Sequence, residues 1–179
     1  MAGNHYDFLT SWRIDATCEE VYEVLADGEG LVRWWPSVYL RVETLRQGDK
    51  SGVGKVMSLV TKGWLPYTLS WRFEIVEARP PHGFSLKARG DFEGTGSWSF
   101  QQEGGSVVAG YDWRIDAEKP LLKALTPLLK PVFSANHRWA MARGEESIVL
   151  ELARRRARTD EERDAVPPPP RPTFWSSQR

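Results

Sequence analysis

Apolar and polar residues alternate over seven stretches of this chain, and then the period changes. Residues 6–14 place Phe8, Thr10, Trp12 and Ile14 on one side and Asp7, Ser11 and Arg13 on the other. That two-residue period predicts a strand with one buried face. It returns in 38–45, 55–62, 67–78, 84–92, 94–100 and 107–116. Leu69, Trp71, Phe73 and Ile75 share one face of the fourth stretch, and Phe84, Leu86, Ala88 and Gly90 one face of the fifth. Trp98 and Phe100 go together on the sixth; Val107, Ala109, Tyr111, Trp113 and Ile115 go together on the last. Short turn clusters, such as 79–83 and Glu103-Gly104-Gly105, separate consecutive strands. Links this short make antiparallel hairpins, because a parallel return needs a crossover of roughly a dozen residues.

Helical patterns flank the strands. Thr17 and Glu20 have capping-box spacing, and Val21, Val24 and Leu25 follow as a short apolar stripe ended by Gly28 and Gly30. Leu31 to Trp35 reads as a second short helix stopped by Pro36. After Lys119 the period lengthens. Pro120 suits a first helical turn, where its missing N–H costs nothing. Pro127 and Pro131 predict a kink or break near 127–131, with a long helix then running to about Arg156. On it Phe133, His137, Ala140, Met141, Gly144, Ile148 and Leu152 share one face. The basic run Arg154, Arg155, Arg156 and Arg158 is expected to complement the helix C-terminus and pair with the acidic run at 160–164. The composition then shifts to charged and Pro-rich, so 158–179 is read as a disordered or loosely docked tail behind one domain, 1–157.

Strand, two short helices, six strands and a long helix specify an α+β chain. The first and last strands can pair, giving one curved seven-stranded antiparallel sheet. The long helix has only the concave face of that sheet on which to bury its apolar stripe. This is a helix-grip architecture. One helix does not fill the volume such a sheet encloses, so the reading includes an internal cavity.

Composition narrows the partners. Lys+Arg and Asp+Glu both number 24, so no global field steers the chain to nucleic acid. Cys18 is the only cysteine, which excludes a disulfide framework and a Cys-based zinc site. His5, His82 and His137 are scattered without ligand spacing, so no metal is expected. The first residues lack the pattern of a signal peptide, and no apolar run reaches the roughly 18 residues of a membrane span. A cytoplasmic location is the expectation. Nine tryptophans change the picture most. Trp12, Trp71, Trp98 and Trp113 fall in inward phase on four strands, which points to a pocket for a flat or apolar molecule.

Two residues on inward faces carry candidate chemistry. His137 has a side chain whose ordinary pKa lies near neutrality, fit for moving a proton. Tyr111 can donate a hydrogen bond to a carbonyl. Without a second committed catalytic group His137 reads rather as a packing histidine hydrogen-bonded to a strand side chain, and Tyr111 is equally readable as packing, with its hydroxyl on a backbone partner. Asp91 lies in outward phase; a bulge near Gly90 or Gly94 turns it inward as a carboxylate partner for His137. The ligand-binding set is Trp12, Trp71, Phe73, Trp98, Tyr111, Trp113, Phe133, His137 and Met141.

Four segments carry a family resemblance: 14–38, with its WWP; 73–100; 111–133; and 136–153. Together they span roughly 6–155 and resemble the SRPBCC superfamily, which includes START and birch-pollen-allergen proteins. Within it they resemble the bacterial polyketide cyclase/dehydrase-like branch. The resemblance implies the helix-grip fold and a pocket for a lipid, isoprenoid or aromatic polyketide-like molecule, with no cofactor. Three functions stay open: carriage of such a ligand, cyclisation or dehydration of a poly-β-ketone by His137 and Tyr111, and a protein-interaction module.

Overall fold

A computed structural model describes residues 4–173. Its elements are β1 (His5–Ile14), α1 (Cys18–Ala26), a 3-10 turn (Gly28–Gly30), α2 (Leu31–Trp34), β2 (Tyr39–Arg46), β3 (Val56–Thr61), β4 (Leu69–Arg79), β5 (Gly83–Gly90), β6 (Phe92–Glu103), β7 (Ser106–Ala117), α3 (Pro120–Arg156) and α4 (Asp160–Ala165). The strands form one antiparallel sheet in the order β1-β7-β6-β5-β4-β3-β2. The fold is therefore α+β and of the helix-grip kind, with the first and last strands paired along their length from His5↔Asp116 to Ile14↔Val107.

Alternation sets which face is buried. On β7, Val107, Ala109, Tyr111 and Trp113 are buried, while Arg114 is exposed. On β4, Trp71 and Phe73 are buried between exposed Ser70, Arg72 and Glu74. Register shifts within β2 and β4 add local twist, which helps the sheet curl round the helix. The capping box forms at α1: Glu20 N–H donates to Thr17 Oγ1 at 3.2 Å, and Thr17 N–H donates to Glu20 Oε2 at 2.9 Å.

α3 is one helix of 37 residues, which corrects the expected break at 127–131. Pro131 lacks one helical N–H, and its neighbour Leu128 is 78% exposed, so water can take the carbonyl left over at this outer stretch. The C-terminal half of α3 grips the sheet. Ile148 and Leu152 are fully buried, and Gly144 lies against the Trp35 indole; a Cβ there would stand 2.3 Å from Trp35 Cζ2.

Among the described residues no ion pair joins Arg154, Arg155 or Arg156 to residues 160–164, and Arg158 meets Glu162 only through its backbone N–H (2.7 Å). Arg156 reaches Glu20 on α1 (2.7 Å), holding that carboxyl down to about 2, and Arg155 reaches Glu151 (2.8 Å) and Asp27 (3.6 Å). Helix geometry decides this: the end of α3 lies over α1, whereas α4 carries its own Arg163–Asp160 pair. The segment read as a tail contains α4, and its chain then returns to the body. Arg154 donates to the Pro167 carbonyl, and Thr173 Oγ1 donates to the carbonyls of Gly63 (3.4 Å) and Trp64 (3.2 Å). Residues 174–179 of that tail lie outside the described residues. Among the described residues no helix is long and apolar enough to cross a membrane.

Candidate functional site

The N-terminal half of α3 does not close onto the sheet. Between them lies a cavity of about 150 Å3. Phe133, Asn136, His137, Ala140 and Met141 line it from α3. Tyr6 and Phe8 on β1, Leu69 and Trp71 on β4, Phe92 on β6 and Tyr111, Trp113 and Ile115 on β7 line it from the sheet. Trp35, Val38 and Tyr39 close one end, and Thr61, Lys62 and Gly63, where β3 runs out, form another part of the wall.

The aromatic residues form continuous packed faces. Tyr111 stacks between Trp98 (4.3 Å, 20°) and Trp113 (5.6 Å, 19°). Trp113 meets Trp71 at 5.7 Å and Phe92 edge-on at 5.5 Å. The Tyr111 hydroxyl and the Trp113 ring lean over Gly96, where any Cβ would come within 2.6 Å of that hydroxyl. Glycine at 96 is therefore what lets these rings tilt. Trp71 Nε1 donates to Thr61 Oγ1 at 3.0 Å, so its polar edge is satisfied and its faces remain apolar.

Of the residues expected to bind a ligand, Trp71, Tyr111, Trp113, Phe133, His137 and Met141 line this cavity. Trp12, Phe73 and Trp98 point inward but pack elsewhere. Trp12 lies edge-on to Trp35 at 5.6 Å and against Trp98 at 5.0 Å, in the region that α2 and the end of α3 fill. Phe73 packs beside Gly28, near a separate niche of about 50 Å3 under α1.

Asp91 does not turn inward. Its Oδ2 accepts from Ser70 N–H at 2.8 Å and lies 3.5 Å from Lys119 Nζ, and its carbonyl accepts from the backbone N–H of Glu118 and Lys119. It ties the β5–β6 turn to the starts of β4 and α3, and it is no partner for His137.

His137 stacks on Phe8, with ring centroids 4.0 Å apart and planes at 17°. Burial, with Arg138 adding to it, holds its pKa down to about 4, so the ring is neutral at pH 7. Its Nε2 is buried and, among the described residues, has no hydrogen-bond partner. Burial lifts the Tyr111 and Tyr39 phenols far above their ordinary value and, with Tyr6 nearby, pushes Tyr67 up to about 12. The phenols are neutral donors at any working pH.

The His137 shift has a consequence for stability. Its pKa drops from 6.5 to about 4 on folding, so the folded state resists protonation. The stability associated with this group is full above pH 6.5 and declines as pH falls toward 4. His137→Phe keeps a ring on Phe8 and removes the titration. The variant should lose less stability than the wild type between pH 7 and 4.5, read from urea midpoints. Parallel loss in both proteins would count against a buried neutral His137.

Lys62 and Asn136 were not singled out from the sequence. Asn136 Oδ1 accepts from Leu65 N–H at 3.1 Å, fastening the β3–β4 connection to α3. An asparagine inside a helix, where it is disfavoured, was the available signal. Lys62 is 6% exposed, burial lowers its pKa, and its ammonium donates to the Thr173 carbonyl. Sequence position alone gave it no signal, because its burial depends on a segment more than a hundred residues away.

Structural comparison finds the same fold in many solved proteins. A Thermus thermophilus protein superposes with a TM-score of 0.65 at 19% identity, over 82% of this chain and 98% of its own. The Streptomyces aromatase/cyclase Zhui gives 0.64 at 16% identity, over 86% and 97%. Norcoclaurine synthase from Thalictrum, in complex with a transition-state analogue, gives 0.58 at 15% identity, over 82% and 95%. Among curated proteins none matches by sequence. The family described as polyketide cyclase / dehydrase and lipid transport, of SRPBCC type, matches residues 7–148, which takes in every strand and the cavity-lining half of α3. The chain belongs to that family.

Proposed function

We propose that this protein binds a small hydrophobic molecule, aromatic or lipid-like, in the cavity between the sheet and the N-terminal half of α3. The observation that carries the reading is the cavity itself: about 150 Å3, walled by Trp71, Trp113, Tyr111, Phe92 and Phe133. A closed apolar space of about this size holds one benzene-like ring, and because this one opens to solvent the second ring of a larger ligand can stand in its mouth. Affinity comes from apolar area, and orientation from the flat faces of Trp71 and Trp113.

A catalytic reading, closure of a poly-β-ketone by His137 and Tyr111, draws on the family description and on the aromatase/cyclase likeness. Among the described residues no Asp or Glu lines the cavity to orient or charge His137, and Asp91 is engaged elsewhere. Binding is therefore the better supported function.

The test is direct. The wild type should bind 2-naphthol, followed by the ligand's fluorescence. Ala140→Trp, which fills the cavity from α3, should bind it at least about tenfold more weakly while keeping its melting temperature near that of the wild type. Undiminished binding by Ala140→Trp, or none by the wild type, would sink the proposal. Native mass spectrometry of the purified protein adds the identity of any retained molecule. A ring-closed product formed from a poly-β-ketone chain, and lost in His137→Ala, would move the assignment to cyclase.

A further inference from the structure

One polar side chain in the cavity wall is only half used. Asn136 is 7% exposed and stands among Phe133, His137, Ala140 and Met141, the residues of α3 whose spacing turns them to the cavity. Its amide lies over Gly63, another wall residue. A Cβ at 63 would come within 2.1 Å of the amide oxygen and 2.5 Å of the nitrogen, so glycine is what admits the amide here.

The orientation of that amide is fixed. Leu65 N–H donates to Oδ1 at 3.1 Å, and an N–H can be met only by the oxygen. Nδ2, with its N–H donors, takes the other end. Among the described residues nothing accepts from it. A buried amide with unmet donors costs stability, and a helix interior disfavours asparagine as well. Fastening Leu65 accounts for the oxygen and not for the nitrogen. Toward a ligand, Asn136 therefore offers a donor that is already held in place.

We propose that the cavity selects a neutral carbonyl compound of the aromatic ketone class: the ring lies against Trp71 and Trp113, and the carbonyl oxygen accepts from Asn136 Nδ2. This rests on the ligand-binding reading above, and names the class of ligand and the residue that sets it. The ketone exchanges a hydrogen bond to water for one to a pre-oriented donor, so burying its carbonyl carries little penalty. Binding involves no covalent step.

The experiment compares acetophenone with α-methylstyrene by calorimetry at pH 7. The two share a ring and a shape, and differ in a carbonyl oxygen replaced by a methylene. A wall without a donor favours the hydrocarbon by about tenfold or more, the cost of stripping water from a carbonyl. The wild type should instead bind the ketone at least as tightly as the hydrocarbon. In Asn136→Leu, checked for an unchanged circular dichroism spectrum, the ratio of ketone to hydrocarbon affinity should fall at least about tenfold. Loss of the Leu65 bond touches both ligands alike, so the ratio reads the donor. A wild type that binds the hydrocarbon more tightly would overturn the proposal, and so would a ratio unchanged in Asn136→Leu. The wild-type comparison decides even if the variant does not fold. If 2-naphthol binds and the ketone does worse than the hydrocarbon, only the ketone proposal falls. If none of the three binds, the ligand-binding reading falls with it.

Discussion

Replacing Arg33 and Arg155 together by methionine should lower the unfolding free energy at pH 7 by about 3–5 kcal/mol, the cost of leaving a buried charge unpaired. The charge is that of Glu151, on the buried face of α3 and only 1% exposed. Arg33 from α2 reaches its Oε2 at 2.6 Å, and Arg155 reaches its Oε1 at 2.8 Å. Burial raises the Glu151 carboxyl; Arg33 and Arg155 more than reverse that, leaving it below its ordinary 4.5. In the wild type this carboxylate adds stability above pH 4.5, lost as pH falls through its folded value. In the double variant burial acts unopposed, the folded pKa lies above the unfolded one, and the contribution changes sign: stability improves as pH is lowered. Adding Glu151→Met should return most of the loss, since apolar side chains of similar volume replace buried ion pairs with little penalty. Chemical denaturation of the three proteins at pH 7 and pH 4.5 checks both parts. An unchanged midpoint in the double variant, or the wild-type pH slope in it, would rule out an essential pairing.

Glu151 also shows where sequence reading stopped. The stripe Met141, Gly144, Ile148, Leu152 identifies the buried face of α3, and all four are buried. Yet Ser147 and Glu151 are as fully buried as Ile148, and Asn136 nearly so. Hydrophobic periodicity assigns polar residues to the outside. It has no access to a hydrogen bond from Leu65 or to the Arg33 guanidinium, which arrives from α2 to join Arg155, four residues on from Glu151 in α3. The strands were more legible, because alternation fixes a face without reference to partners. Seven strands, their antiparallel order and the inward set Trp12, Trp71, Trp98, Tyr111 and Trp113 are all visible in the period of two. Phase says which side of the sheet a residue takes; it does not say how far along the groove the helix stays close. Trp12 and Trp98 are therefore core and Trp71 and Trp113 cavity wall, though all four share one pattern. Lys62 lay beyond reach for the same reason: its place in the wall depends on Thr173.

Gly144 meets Trp35 where the filled core gives way to the cavity that Trp35 lines, and Gly144→Ala tests how tightly that contact is locked. By helix propensity alone this change stabilises a helix interior by about 1 kcal/mol. In this protein it should destabilise by about 2 kcal/mol instead, because the extra methyl overpacks a buried contact. The new Cβ would lie 2.3 Å from Trp35 Cζ2 and 2.6 Å from Cε2 and Cη2. The indole has little freedom to move: it is 3% exposed and wedged among Trp12 (5.6 Å), Trp34 (5.4 Å) and Tyr39 (5.2 Å). Either α3 lifts from the sheet or Trp35 shifts toward the cavity it lines. Both change the pocket, so weaker 2-naphthol binding should accompany the loss of stability. Shortening the partner separates overpacking from a generic helix effect. Gly144→Ala combined with Trp35→Phe should be more stable than the sum of the two single changes, by about 1 kcal/mol or more of favourable coupling. Additive single changes, or a Gly144→Ala protein that melts higher than the wild type, would mean that α3 and α2 are not locked at this point.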